Sequence, residues 1–263
     1  MTIVTPGADR LPPPPARTAP TGAATPAAGR PSTLVVIPTY NERDNLPALT
    51  RALLPLPGLR VLVVDDRSPD GTGDLADDLA ARHQGHIEVL HRAGPRGLGR
   101  SYADGLMRAL DTGAPYIVQM DADLSHDPRD LPALTAAAAG SDLVIGSRYA
   151  RGGRIDNWAW QRRLLSRFAN RYVRSVTGLV PRDCTSGFRC WRREALTRVP
   201  LAQVTSTGYA FLVETLYEAM RQGLSVSEVP IVFVERRAGT SKLSAKVLAE
   251  SAVVPWRVRL RAP

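Results

Sequence analysis

Cysteine is nearly absent from this chain of 263 residues, which holds only Cys184 and Cys190. Two thiols build neither a disulfide framework nor a cysteine-rich zinc site, so both read as buried structural side chains and redox chemistry is not indicated. Long apolar runs are absent too. None approaches the roughly 20 residues needed to span a bilayer, and the opening MTIVTPGADRLPPPP lacks the charged and apolar regions of a secretory signal. Both absences lead us to expect a cytoplasmic protein. Two nucleotide-binding signatures are also missing: no GxGxxG follows the first apolar run, and no GxxxxGK(S/T) occurs anywhere. Dinucleotide-binding and P-loop readings therefore lose their central feature.

Enough apolar material is present, 44% of residues, for a sizeable core, alongside a formal charge of +9. That charge is unevenly spread. Residues 1–31 carry three Arg and one Asp, residues 32–147 carry 10 Arg against 16 acids, and residues 175–235 balance at six each. The excess lies in residues 148–174, with eight Arg and one Asp, and in residues 236–263, with five Arg, two Lys and one Glu. A nucleic-acid platform would interleave basic residues with exposed aromatics, whereas the polar motifs here are acidic, so no nucleic-acid partner is expected. An acidic first half and two later basic segments suggest a catalytic half and a face that meets an anionic surface or substrate.

Residues 1–31 hold eight of the 22 prolines and no aromatic residue, a composition that predicts a disordered leader. Beyond it, short apolar runs alternate with helical periodicity. Strands are expected at Leu34 to Pro38, Leu59 to Asp66, Ile87 to His91, Tyr116 to Asp123 and Asp142 to Gly146. Helices are expected at about 44–54, 71–82, 98–110 and 128–139. Continuous apolar strands separated by amphipathic helices predict an α/β domain with a parallel sheet covered on both faces. We set its bounds at 32–245, followed by a basic tail over 246–263. Such sheets bind ligands beyond the carboxyl ends of their strands, and PTYNE, DDRSPDGT and DADLSH fall there. The glycines at Gly94, Gly97 and Gly99 precede a helix whose N-terminus suits a phosphate.

Asp121 and Asp123, two apart at a strand end, can project to the same side, where they would repel unless a cation lies between them. Mg2+ or Mn2+ held by carboxylates and substrate phosphates fits that pair. Residues Trp158 to Val176 form an amphipathic pattern with Leu164, Leu165, Phe168, Tyr172, Val173 and Val176 on one face and Arg163, Arg167, Arg171 and Arg174 opposite. Arg162 and Ser166 share a flank between the two faces.

Taken in order, Pro38-Thr39-Tyr40-Asn41-Glu42, Val64 to Thr72, Gly97-Leu98-Gly99 and Asp121-Ala122-Asp123-Leu124-Ser125-His126 resemble the nucleotide-sugar half of family 2 glycosyltransferases with a GT-A fold. Gly146-Ser147-Arg148-Tyr149, Thr185-Ser186-Gly187-Phe188-Arg189 and the run from Phe233 to Lys242 look like the polyprenol-phosphate (dolichol-phosphate) mannose synthase branch. The resemblance implies transfer of mannose from GDP-mannose to a membrane polyprenol phosphate, with a divalent metal and inversion at the anomeric carbon. It implies that Pro38, Tyr40, Glu42, Asp65, Asp66 and Gly97 border the nucleotide, and that Asp121, Asp123 and Ser125 face the metal. Arg236 and Lys242 would close over the diphosphate or the acceptor. Arg148, Arg162 and Ser166 would cradle the acceptor phosphate. An ionised phosphate acceptor needs little general-base help; if a base exists, Asp183 is the candidate carboxylate. A UDP-sugar or another acceptor is the alternative on the same fold. Many relatives carry carboxyl-terminal membrane helices, and this sequence shows none. The expected location is therefore peripheral, on the cytoplasmic face of an anionic membrane, held by lipid or by a separate membrane-anchoring subunit.

Overall fold

The computed structural model describes residues 33–204, 206, 208, 210–235 and 245–261. The expected leader lies outside them. Its first half alternates β1 (Thr33–Thr39), α1 (Leu46–Leu53), β2 (Leu59–Asp65), α2 (Thr72–Arg82), β3 (Ile87–His91), α3 (Leu98–Asp111), β4 (Tyr116–Gln119), α4 (Leu131–Ala137) and β5 (Leu143–Ser147). Then come β6 (Arg154–Asp156), α5 (Trp160–Thr177), β7 (Arg189–Arg192), α6 (Arg193–Leu196), α7 (Ala210–Arg221), β8 (Val226–Pro230), β9 (Val232–Val234) and α8 (Ala245–Arg261).

Seven strands form one sheet in the order β3-β2-β1-β4-β7-β5-β8, and β6 pairs in parallel with β9 beside it. The Val- and Ile-rich β1 is buried along its whole length because helices cover both faces. Its side chains alternate between two cores: Leu34 and Val36 pack with residues of α3, α7 and α8, and Val35 and Ile37 with residues of α1 and α4. Close approach of α3 depends on Gly105. A Cβ there would lie 2.6 Å from Val36 Cγ1 and 2.7 Å from Val64 Cγ2, so any larger residue would lift the helix off the sheet.

The α/β fold with a mostly parallel sheet agrees with the sequence pattern, with three differences. First, β7 enters antiparallel between β4 and β5. Its sequence, RCWR, carries none of the apolar continuity that marked the other strands; Arg189 and Trp191 are nevertheless fully buried. Second, β4 ends at Gln119, so Asp121 and Asp123 occupy the turn that follows and not the strand itself. Third, the segment expected as a basic tail is largely helical. Val254 and Val258 of α8 join the core, Tyr172 donates to the Ala252 carbonyl at 2.7 Å, and Arg257 lies 3.6 Å from Glu214. Burial of two valines at i, i+4 fixes one helix face where the sequence shows only alternation. Among the described residues, no helix is long and apolar enough to cross a membrane.

Candidate active site

Three neighbouring parallel strands, β2, β1 and β4, end on the same edge, and each chain turns sharply beyond it. Asn41, Arg67 and Leu124 take left-handed backbone conformations at φ 58°, 58° and 60°. Such φ values are uncommon for non-glycine residues and cost energy, so their clustering at one edge marks a site that the surrounding fold over-determines.

At the β1/β2 end, Pro38 is buried within β1 and Tyr40 is half-buried, with the Arg96 guanidinium 4.8 Å above its ring and donating to its hydroxyl at 3.1 Å. Glu42 accepts from Asn45 Nδ2 at 2.8 Å. Asp65 accepts from the Ser68 hydroxyl at 2.6 Å and from the Ser68 N–H at 3.1 Å. Asp66 pairs with buried Arg92 and accepts the Gly97 N–H at 2.7 Å. Both carboxylates thus hold loops together, and the Gly97 amide expected to face a phosphate points to Asp66. Nothing in the residue types distinguished a loop-holding aspartate from one that reaches a ligand.

At the β4 end, Asp121 Oδ1 accepts the Tyr102 hydroxyl at 2.6 Å, and the Asp121 N–H donates to His126 Nδ1 at 3.3 Å. Asp123 Oδ1 accepts the Ser125 hydroxyl at 2.5 Å and its N–H at 3.1 Å, so buried Ser125 braces Asp123. A Cβ on Gly187 would press to 3.3 Å from Asp121 Oδ2, so glycine there keeps the carboxylate open. Among the described residues no cluster of three or more histidine, cysteine or acidic side chains suits a metal ion. Two carboxylates and a hydroxyl nonetheless form an all-oxygen donor set that suits a hard cation whose remaining ligands come from substrate phosphates and water. The residues present fit Mg2+ or Mn2+.

The expected phosphate cradle is more tightly knit than its sequence suggested. Arg148 is buried and grips Asp183 through Nε at 2.7 Å and Nη2 at 2.6 Å, with a further bond to Thr185 Oγ1 at 2.9 Å. Burial by itself would raise the Asp183 carboxyl, but the Arg148 guanidinium and its hydrogen bonds outweigh it and hold the group below its ordinary range. A carboxylate so paired is a poor base, which corrects the expectation for Asp183. Burial lowers His126, against the opposing charges of Asp121 and Asp123, so its ring is neutral and accepts from Asp121. The ring stacks on Phe188 and meets Phe233 edge-on.

Arg162 lies 3.9 Å over the Trp158 ring and pairs with Glu235 at 2.8 Å, and Ser166 accepts the Tyr149 hydroxyl at 2.7 Å. Burial raises Tyr149 even though Ser166 opposes it, so the phenol stays protonated as a donor. Tyr102, Tyr149, Trp158 and Phe233 were not read as site residues from sequence; only the quoted motifs around Tyr149 and Phe233 hinted at them. Arg236 and Lys242 lie outside the described residues.

Asp121, Asp123, Ser125, Arg148, Arg162 and Ser166 line one cavity of about 220 Å³. The same cavity has an apolar lining from Leu165, Ala169 and Val173 of α5, Ala210 and Val213 of α7, and Val254 and Pro255 of α8. Along its 18 residues α5 buries only Asn170, Val173 and Thr177. Leu164 and Phe168 are 60% and 65% exposed, and on adjoining α8 Trp256 is 53% exposed. Leu164, Leu165 and Phe168 of the apolar face therefore look outward, joined at Leu165 to the cavity lining, while Val173 of the same face is buried.

Comparison with known proteins adds independent findings. The model of glycosyl transferase family 2 matches residues 34–199. Polyprenol monophosphomannose synthase of Mycolicibacterium smegmatis is 46% identical over 242 residues, covering 90% of this chain and 91% of that protein. Undecaprenyl-phosphate mannosyltransferase of Micrococcus luteus is 44% identical over 221 residues, covering 84% and 90%. Among solved structures, glucosyl-3-phosphoglycerate synthase from Mycobacterium tuberculosis, in complex with Mn2+, UDP-glucose and glycerol 3-phosphate, matches with a TM-score of 0.62 at 22% identity, covering 90% of this chain and 82% of that one. A mannosyltransferase from Pyrobaculum calidifontis in complex with GDP-Man and Mn2+ matches with a TM-score of 0.53 at 18% identity, covering 95% and 76%. At these identities the two structures speak for the fold.

Proposed function

The chain belongs to glycosyl transferase family 2, and we propose that it transfers mannose from GDP-mannose to the phosphate of a membrane polyprenol, with inversion at the anomeric carbon. The observation that carries the reading is one cavity lined both by the Asp121 and Asp123 carboxylates, for a cation and diphosphate, and by apolar side chains of α5, α7 and α8, for an isoprenoid chain. Two relatives above 40% identity, named for polyprenol-linked mannose transfer, support the same acceptor class.

Asp121 and Asp123 would hold Mg2+ or Mn2+, with Ser125 bracing Asp123. Held there, a cation would supply the positive charge that offsets what builds on the departing diphosphate. Tyr40 and Glu42 border the nucleoside in this reading, while Pro38, Asp65, Asp66 and Gly97 shape its loops. An oxygen of the acceptor phosphate attacks the anomeric carbon from the side opposite the diphosphate. One carbon–oxygen bond forms as the other breaks, its electron pair leaving with GDP. The attacking oxygen is already ionised, so no proton must be removed, and positioning and charge compensation carry the rate.

Arg162, stacked on Trp158, supplies a guanidinium to the cavity lining, and Ser166, oriented by Tyr149, adds a hydroxyl. Arg148 contributes positive charge to the cavity lining from a guanidinium fixed by Asp183. Arg236 and Lys242 enter on the family resemblance alone, as contacts to the diphosphate. The exposed apolar side chains of α5 and α8, together with the basic face of α5 that carries Arg163, Arg167, Arg171 and Arg174, suit attachment to the cytoplasmic leaflet of an anionic membrane. Incubation of the purified protein with Mn2+, polyprenol phosphate in vesicles and labelled GDP-mannose tests the proposal. Label is expected in the organic extract with GDP-mannose and not with UDP-glucose; the reverse would assign a different donor.

A further inference from the structure

Asp121 is held on three sides. Its N–H is tied to His126, the Gly187 backbone lies alongside so closely that an added Cβ would sit 3.3 Å from Oδ2, and the Tyr102 hydroxyl reaches Oδ1 at 2.6 Å. No described residue donates a hydrogen bond to Asp121 Oδ2. We propose that Tyr102 is a positioning residue for the cation: by pinning one oxygen of Asp121 it presents the other to the metal. This rests on the reading of Asp121 and Asp123 as metal ligands.

Tyr102 is far from the acidic motif in sequence, one turn before Gly105 on α3. Because Gly105 lets α3 lie against β1 and β2, the Tyr102 side chain extends beneath the strand edge, fully buried. The ring is fixed by stacking on Phe211, with centroids 6.1 Å apart and planes at 10°. A rigid phenol in an apolar core needs a partner for its hydroxyl, and the structure gives it the carboxylate. The terminal torsion of an aspartate is soft and roughly two-fold, while a cation shared by two carboxylates needs one oxygen of each at a set distance. The hydroxyl removes that freedom. Being neutral, it does so without cancelling the negative charge that attracts the cation, which an arginine in its place would do.

Tyr102→Phe removes only the hydroxyl. Mn2+ binding in the presence of GDP, followed by the paramagnetic resonance of free Mn2+, is expected to weaken about tenfold or more, as for other groups that orient a metal ligand. Melting without metal should stay close to wild type, and transfer should recover at excess Mn2+. Phe211→Leu, which loosens the same ring but keeps the hydroxyl, should leave Mn2+ affinity near wild type. Unchanged Mn2+ affinity in Tyr102→Phe, beside a clear loss in Asp121→Asn, would reduce Tyr102 to a core residue. Equal weakening in Phe211→Leu would assign the effect to packing and overturn the hydroxyl's role. Wild type binding Mn2+ no better than Asp121→Asn would overturn the metal reading, and the proposal with it.

Discussion

The strand edge and the α5/α8 region solve opposite problems. At the edge, nearly every polar group has a partner within the fold: Asp65 with Ser68, Asp66 with Arg92 and Gly97, Asp121 with Tyr102, and Asp123 with Ser125. On α5 and α8 it is apolar groups that lack cover, since Leu164, Phe168 and Trp256 face solvent. A soluble ligand with many charges needs a preorganised polar frame, because fixed dipoles cost no reorganisation when charge moves. A lipid needs an apolar wall that continues to the surface, because its chain never leaves an apolar medium. One cavity is lined by residues of both regions, with Arg148, Arg162 and Ser166 among them.

The largest expected effect strikes the polar frame alone. Asp121→Ala or Asp123→Ala should abolish transfer; the melting temperature should change little in Asp123→Ala, whose carboxylate sits in a turn outside the core, and fall modestly in Asp121→Ala, which removes an acceptor of the buried Tyr102 hydroxyl. Activity near wild type in either variant, in the presence of chelator, would remove the cation from the account.

Next comes the junction. Asp183→Asn leaves the buried Arg148 guanidinium without its counter-charge, which should cost about 3–5 kcal/mol of stability. Acid unfolding checks the same pair. The Asp183 carboxyl is held below its ordinary value of 3.8, so the stability it contributes is present above that pH and is lost as pH falls through the depressed value. Wild type should therefore lose more stability than Asp183→Asn between neutral pH and strong acid; parallel curves would mean that the pair is not formed. Arg148→Lys and Arg162→Lys keep charge but lose planar two-point contacts, and each should lower transfer at least about tenfold, about 1.4 kcal/mol. GDP-mannose affinity should stay unchanged, and an equal loss there would move these arginines to the donor side.

A smaller effect separates the surfaces. Phe168→Glu with Trp256→Glu should reduce flotation with anionic vesicles and leave Mn2+-dependent GDP binding intact. Because apolar side chains are exposed beside the arginines, high salt should weaken flotation of the wild type without abolishing it. Complete release at 1 M salt would show that charge alone holds the protein. The smallest effect concerns the cysteines. Burial pushes the Cys184 and Cys190 thiols up to about 12, so alkylation at pH 8 should be negligible until the protein unfolds.

Much of the first half was legible because parallel strands buried on both faces write themselves as Val- and Ile-rich runs, and β1 and β2 agree closely with that pattern. The acidic turn after β4 was legible for the same reason: polar residues cluster where buried strands end. The antiparallel β7 was not, because its arginines read as surface residues. Arg189 is buried by hydrogen bonds to the Cys184 and Ser186 carbonyls and to Thr215, partners distributed over the fold. Likewise the bond from Tyr102 to Asp121 and the grip of Arg148 on Asp183 join residues 19 and 35 positions apart. Helical periodicity on α5 correctly separated apolar from basic faces, but periodicity cannot say whether an apolar face meets a core or a membrane. Arg236 and Lys242 rest on motif alone.

One measurement bears most directly on the union of a polar donor frame with an apolar acceptor wall: the efficiency of mannosyl transfer from GDP-mannose to phosphates carrying prenyl chains of increasing length, with glycerol 3-phosphate as the chain-free reference. The account predicts a steep rise in kcat/KM over the first isoprene units as the wall formed by Leu165, Val173, Val213 and Val254 is covered, with donor affinity constant throughout. Transfer to glycerol 3-phosphate as efficient as to the longest prenyl phosphate would contradict it.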